Sequence, residues 1–480
     1  MKHSICLSCL IPCLLLVSNT LADQTPPPSR DRIISITDFG AKPDGELQTS
    51  KIQAAIDHCF QHGGGEVQIP AGQFRTGGLR LRSRVTLHLL QGAILAGSRN
   101  PEDYFGYLHD KIEPLAPSRI TDVPWRPASD PQRDQAFIQT VGSRWSNGLI
   151  RAIDAENIAI IGEKGSVLDG CDCYDEKGEE HYRGPHCISM HNCRGITLRG
   201  YTVKNSANWA HAIFYSDGIT AENLTVLAGH DGFHVSAFDH IKVHHCRFYT
   251  GDDCVAGFDN NNVVVTDCDL NTACSGLRFG GHDVLVENCR FFGPANYLFR
   301  GSLTKEEKRT GALSAASHRY NMLSAFTYYS DFSLKVRKQP GKIVLRNCTI
   351  ENTDRLLHYN FSGNETWQKN RPLHDIRFEN IIASGVSMPL DVYGDTNCPV
   401  VVEIKNMDFT FRKGCDNVAF IHACNYERIT LDRVSVKGTG SAPLVKTWSK
   451  GTVELKDVKC DIPEPRRVVP ATEPFYSKPI

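Results

Sequence analysis

The pairs His245-Cys246, Asp267-Cys268 and Asn288-Cys289 each open a short run rich in β-branched residues, and their cysteines stand 22 and 21 residues apart. The same step from a polar to an apolar residue occurs upstream at Asn157-Ile158, Asn192-Cys193 and Asn223-Leu224. It continues downstream at Asn347-Cys348, Asn380-Ile381, Asn406-Met407, Arg433-Val434 and Asp457-Val458. Almost no helical periodicity accompanies it. Repeats of this length without a helix predict an all-β fold, a single-stranded right-handed parallel β-helix. Its coils should rise by about 4.8 Å, the spacing of neighbouring strands. The Leu-x-x-Leu-x-Leu pattern of leucine-rich repeats is absent, and no period near the roughly 40 residues of a propeller blade is present.

Working outward from that core, the repeat organises most of the 480 residues. Met1 to Ala22 has Lys2, an apolar run from Ile5 to Val17 and a small-residue end, which reads as a secretory signal; residues 23–32 then form a proline-rich linker. Residues 33–462 are assigned to the solenoid, with one short capping helix from Thr49 to Phe60, where Ile52, Ala55, Ile56 and Cys59 fall on one face. Inserted loops are expected near 100–144 and 301–335, the second inside a gap of 59 residues between Cys289 and Cys348, and residues 463–480 are expected to be a tail. A formal charge of −1, from 53 Lys+Arg against 54 Asp+Glu, gives no global field for nucleic acid or an anionic membrane. No later segment is apolar for the roughly 20 residues a bilayer span needs. The expectation is an exported, secreted or periplasmic monomer.

The repeat also turns spacing into geometry. Asp231, in Gly229-His230-Asp231-Gly232, and the pair Asp252-Asp253 lie about one coil apart, so three carboxylates should converge. Like charges that close raise at least one pKa. An acid beside a carboxylate suits glycoside hydrolysis, in which one protonates the leaving oxygen and the other activates water. A calcium site or a set of aspartate-rich turns fits the spacing too. Neighbouring coils bring Trp209 and His211 from one side and Ser275 and Arg278 from the other, with Arg300 expected one coil further. Trp209 is equally a core residue or a sugar platform. Two arginines either neutralise the cluster or grip the carboxylate of an acidic sugar.

The ordered set Asp38-Phe39-Gly40-Ala41, Ile94-Leu95-Ala96-Gly97-Ser98, Leu168-Asp169-Gly170, Asn205-Ser206-Ala207-Asn208-Trp209, His230-Asp231-Gly232 and Gly251-Asp252-Asp253-Cys254 resembles glycoside hydrolase family 28. That family comprises polygalacturonases and related pectin-degrading enzymes on a pectin-lyase-like β-helix. The resemblance implies an inverting hydrolase acting on a pectic or other acidic glycan, with no cofactor and no catalytic metal. It makes Asp252 the general acid, while Asp231 and Asp253 hold and activate water. Here the family's Asn-Thr-Asp-Gly motif reads Gly229-His230-Asp231-Gly232, its Gly-His-Gly falls on Cys274-Ser275-Gly276, and its Arg-Ile-Lys falls near Leu298-Phe299-Arg300. The missing histidine and cation leave His211, His230, His234 or Arg278 to take over substrate contacts. A polysaccharide lyase and a non-catalytic glycan-binding β-helix are the other readings.

Of 18 cysteines three leave with the signal. Cys193, Cys246, Cys268, Cys289 and Cys348 share one register and are expected as buried thiols, whereas Cys171 and Cys173 are the expected members of disulfides.

Overall fold

The computed structural model describes residues 32–105, 144–315, 317–330, 337–363, 365–368, 371–415 and 417–471. The expected signal, nearly all of the linker and most of the first insertion lie outside them. All the described strands but Tyr174–Glu179 join into one 34-stranded system of parallel ladders, a right-handed parallel β-helix.

Alternation along each strand sends every second side chain inward, and coil-to-coil pairing stacks like on like. On one face Ile196, Ile219, Ile241, Val263, Val284, Ile343, Ile376, Val402, Ile429 and Val453 follow one another as direct partners. Almost all are fully buried. The result is a continuous aliphatic column. The helix Thr49–Gln61 covers the first coils with Ile52, Ala55, Ile56 and Cys59, as its periodicity predicts.

The polar residue of each repeated pair is the corner of a coil. All eleven, from Asn157 to Asp457, have φ between +51° and +56°. Asparagine tolerates this left-handed region better than other residues with a β-carbon, because its short side chain bonds locally. Stacked corners then bond to each other: Asn406 donates to Asn380, and Asn380 to Asn347, each at 2.9 Å. The next residue turns inward, which is why the five cysteines of that register are buried. None of these five forms a disulfide, and neither do Cys171 and Cys173, contrary to their expected disulfide role.

Two further expectations are corrected. The segment read as a loop near 301–335 contains a helix, Lys305–Thr310, and a strand, Met322–Tyr328, that continues the stack. The helix is capped by Thr304 and Glu307, a Thr-x-x-Glu box legible in the sequence. The stretch read as a tail contributes the strand Val468–Pro470, which pairs with Val445–Thr447.

The corner geometry is testable at Asn380. Asn380→Val places a β-branched residue in the left-handed region and should cost about 1–3 kcal/mol. Asn380→Gly keeps the backbone and loses only the exposed side-chain ladder, so its urea midpoint should lie between those of the valine variant and the wild type.

Candidate active site

The face that carries the aspartates is built from the strands Gly148–Ile153, His186–His191, His211–Phe214, Phe233–Ser236, Val255–Thr266, Ser275–Glu287 and Met322–Tyr328. Its pairings run Ala212 to His234, His234 to Ala256, Ala256 to Arg278 and Arg278 to Thr327. This column points outward. The neighbouring column, His211, Phe233, Val255 and Leu277, points into the core.

Phe233 pairs with Val255, an offset of 22 residues. Carried back along the chain, that register sets Asp253 directly over Asp231, and Asp252 over His230. The expected convergence of Asp231 with the pair Asp252-Asp253 therefore occurs, with Asp253 as the direct partner. Gly232 N–H donates to the Asp253 carbonyl at 2.9 Å, tying the two coils.

The three carboxyls have different surroundings. Asp231 is buried and accepts a hydrogen bond from His234 Nδ1 at 2.8 Å. Asp253 is buried; its Oδ1 accepts from the Ser275 N–H at 2.9 Å and its Oδ2 lies 3.5 Å from Arg278 Nη1. Asp252 alone is partly exposed; its Oδ1 accepts from the Asp253 N–H at 3.1 Å, and the hydroxyls of Thr250 and Thr272 clamp its carbonyl. Burial is the main force raising the Asp253 pKa to about 7, and the Asp252 and Asp231 charges add to it. Burial also raises Asp231 well above the usual carboxylate range, with Asp252 contributing, against the pull of Arg278 and Arg183. Such a cluster gives up its protons as a unit.

Arg278 is held between two rings, its guanidinium carbon 4.2 Å from the Tyr329 centroid and 4.6 Å from that of Trp367. Cation–π contact on both sides fixes the fork beside Asp253. The indole of Trp209 stacks flat on His234, 3.8 Å between centroids and 3° between planes, and meets Trp145 edge-on at 4.9 Å. One indole face is thus already covered by protein.

Other expected site residues sit elsewhere. His211 belongs to the core: its Nδ1–H donates to the Gly232 carbonyl at 2.8 Å and its Nε2 accepts from the Tyr201 hydroxyl at 3.1 Å, leaving nothing for substrate. Ser275 is buried, with its hydroxyl 3.1 Å from that of Thr327, so it supports Asp253 through its backbone. The coil that follows Ser275 holds Ser324, its direct partner, rather than residues 296–300. Arg300 instead lies on an excursion that crosses back to the coil of Asp231, where its N–H donates to the Gly229 carbonyl at 3.4 Å and its guanidinium pairs with Asp172. A β-carbon on Gly229 would stand 2.5 Å from Arg300 Cγ, so glycine is what lets that side chain lie against the coil. His230 is buried beside the cluster.

Sequence spacing missed the walls. The hairpin after Tyr174 folds back through antiparallel bridges to Arg183. There Arg183 bonds to Glu180 through two 3.2 Å contacts and to Asn208 at 3.3 Å. Lys308 comes from the helix Lys305–Thr310, whose capping box was the one available signal. Tyr329 and Trp367 carry no local motif.

Asp252, Asp253 and Cys274 offer ligand-type atoms within 4.8 Å of one another. Two carboxylates, a thiol that burial keeps protonated and a nearby guanidinium do not make the oxygen-rich set that calcium requires.

The raised carboxyls have a consequence for stability. They hold protons in the fold that the unfolded chain releases above about pH 3.9. Their contribution is intact at low pH and is lost as the pH rises toward about 7, the Asp253 value. The unfolding free energy should therefore decline across that window, and Asp253→Asn should flatten the decline in denaturation curves taken from pH 4 to pH 7.

Residues 135–282 match the sequence model of Glycosyl hydrolases family 28. A probable polygalacturonase of Vitis vinifera is 26% identical over 245 residues, 48% of this chain and 45% of that protein. An exo-poly-alpha-D-galacturonosidase of Dickeya chrysanthemi is 50% identical over 88 residues, 18% of this chain and 14% of that protein. The chain thus spans less than half the length of these curated relatives. In three dimensions an exopolygalacturonase from Thermotoga maritima superposes with a TM-score of 0.54 over 90% of this chain and 93% of its own, at 17% identity, a likeness of fold. All three aspartates fall inside the stretch, residues 135–282, that matches this family's model.

Proposed function

We propose that the protein is an exported glycoside hydrolase that cleaves glycosidic bonds in pectic or other uronate-containing poly- or oligosaccharide, with inversion at the anomeric carbon. One observation carries this reading. A partly exposed carboxyl, Asp252, stands beside two buried ones, its neighbour Asp253 on the same coil and Asp231 one coil away, and burial raises the pKa of both buried carboxyls.

Asp252, on the open side, gives its proton to the leaving glycosidic oxygen as that bond breaks. Asp231 and Asp253 hold a water against the opposite side of the anomeric carbon and take up the proton that water loses on attack. His234 and the Ser275 N–H keep these two carboxylates in place. Arg278, rigid between its rings, holds Asp253 and offers its fork to an acidic sugar. Export rests on the signal-like residues 1–22, and no helix among the described residues is long and apolar enough to cross a membrane.

Release of reducing ends from de-esterified pectic oligosaccharides should be measurable for the wild type. Asp252→Asn should lower kcat about a hundred- to ten-thousandfold, the usual contribution of a general acid. Proton NMR of the first product should show inverted anomeric configuration. Retention would remove the water-activating role of Asp231 and Asp253. An unsaturated product absorbing in the ultraviolet would make the protein a lyase.

A further inference from the structure

The outward column that carries His234, Ala256, Arg278 and Thr327 continues past the aspartates. Thr327 pairs with His358, His358 with Asp391, Asp391 with His422 and His422 with Lys446. Here lies a second charged cluster with no part in the steps above. His358, Asp391, Glu365 and Arg355 are all buried. His358 Nδ1 stands 2.8 Å from Asp391 Oδ2, and its Nε2 stands 3.2 Å from Glu365 Oε1. Arg355 Nε pairs with the same Asp391 oxygen at 2.8 Å. Tyr393, on the strand of Asp391, and His422, on the next coil, face that carboxylate as well, and burial keeps His422 uncharged.

A carboxylate at each ring nitrogen dictates the protonation state. A neutral imidazole has one donor and turns a lone pair on the second carboxylate, whereas the imidazolium donates to both. Burial by itself would discharge the ring, but the hydrogen bonds to Asp391 and Glu365 outweigh it and raise the His358 pKa, against the push of Arg355. Two cations then face two anions.

The two carboxylates are not held alike. Asp391 stands in the strand Leu390–Tyr393, which is paired on both sides. Glu365 belongs to the connection between the strands Thr353–Asn360 and Asp375–Val386, which also carries Trp367. Two neutral bonds hold that connection too: Gln368 Oε1 accepts from the Asn360 N–H at 2.7 Å, and the Trp367 carbonyl accepts from the Ser330 N–H at 3.0 Å. Loss of the imidazolium proton leaves one buried negative charge in excess, and Glu365 is the carboxylate whose backbone can carry it to water.

We propose that His358 is a positioning residue for the acidic cluster: by donating to Glu365 it latches the connection that lays Trp367 on Arg278, and its deprotonation releases that clamp. Trp367 is half-buried, with its ring centroid 4.6 Å from the guanidinium carbon of Arg278, and Arg278 stands 3.5 Å from Asp253. A proton two coils away from Arg278 thereby governs how firmly the fork beside Asp253 is held. The latch stands on its own geometry; its effect on turnover rests on the hydrolase reading.

The test reads Trp367 itself, as the fluorescence of each full-length protein minus that of its Trp367→Phe counterpart, from about pH 5 to pH 9, the span around the histidine range. The wild-type signal should move to the red in one step, with its midpoint above about 6.5, the ordinary histidine value. In Glu365→Gln the amide can donate to a neutral His358, so the latch should stay closed and the step should vanish. Glu365→Ala leaves His358, Asp391 and Arg355 together and should be red-shifted throughout. On de-esterified pectic oligosaccharides at about pH 6, kcat/KM of Glu365→Ala should fall about ten- to hundredfold, the scale of a small misplacement of reacting groups, while Glu365→Gln keeps the wild-type value. A wild-type signal that stays flat, or a step that persists in Glu365→Gln, overturns the latch. The expected step together with wild-type turnover by Glu365→Ala overturns the positioning role. The expected step in a protein that cleaves no pectic oligosaccharide upholds the latch and defeats the hydrolase reading.

Discussion

Parallel pairing of one coil with the next, at a nearly constant offset, is the constraint on which the site depends. Each coil places its strand residues over chemically similar ones below, so the position of a side chain in space follows from its place in a repeat of about 22 residues. The aliphatic column on one face and the carboxylates on another are products of the same ladder. Hydrogen bonds between coils fix the height of Asp231 against Asp253, and neither could be moved without breaking pairs such as Gly232 with the Asp253 carbonyl.

That constraint is also what lets side chains that repel each other be held together. Burial of Asp231 and Asp253 beside Asp252 opposes folding at neutral pH, and it persists because the strands around it are held by ladder pairs on both sides. His234, the Ser275 amide and Arg278 offset part of the cost without neutralising the cluster. A looser scaffold would let the carboxyls drift apart into water.

What could be read in advance follows the same division. The corner residues announced themselves because a left-handed turn every coil demands asparagine-like chemistry, and the inward cysteines followed. The convergence of Asp231 with the pair Asp252-Asp253 was legible from spacing, and the observed offset of 22 makes Asp253 the member directly over it. The direction of His211 was not: a one-residue change of parity sends a side chain to the opposite face, and its strand gave no alternation to fix it. Arg300 was assigned to the wrong coil because an excursion separates Ser275 from its partner Ser324, and spacing cannot follow a chain that leaves the stack. Arg183, Tyr182 and Trp367 lie between the stacked strands, where no repeat constrains position, and Tyr329 sits at the end of a stacked strand that the spacing did not locate.

The buried row of cysteines has a meaning for how the chain reaches its fold. Side chains stacked in one register point the same way, and their β-carbons are separated by roughly the 4.8 Å coil rise, slightly beyond the 3.5–4.5 Å that a disulfide spans. Once the coils close, the thiols are buried away from solvent, with neighbours in the row close enough to hydrogen-bond to each other. Before they close, the same residues recur every 21 or 22 positions along an open chain, free to couple wrongly. The order of events therefore matters: thiols buried before they meet an oxidant stay out of disulfides.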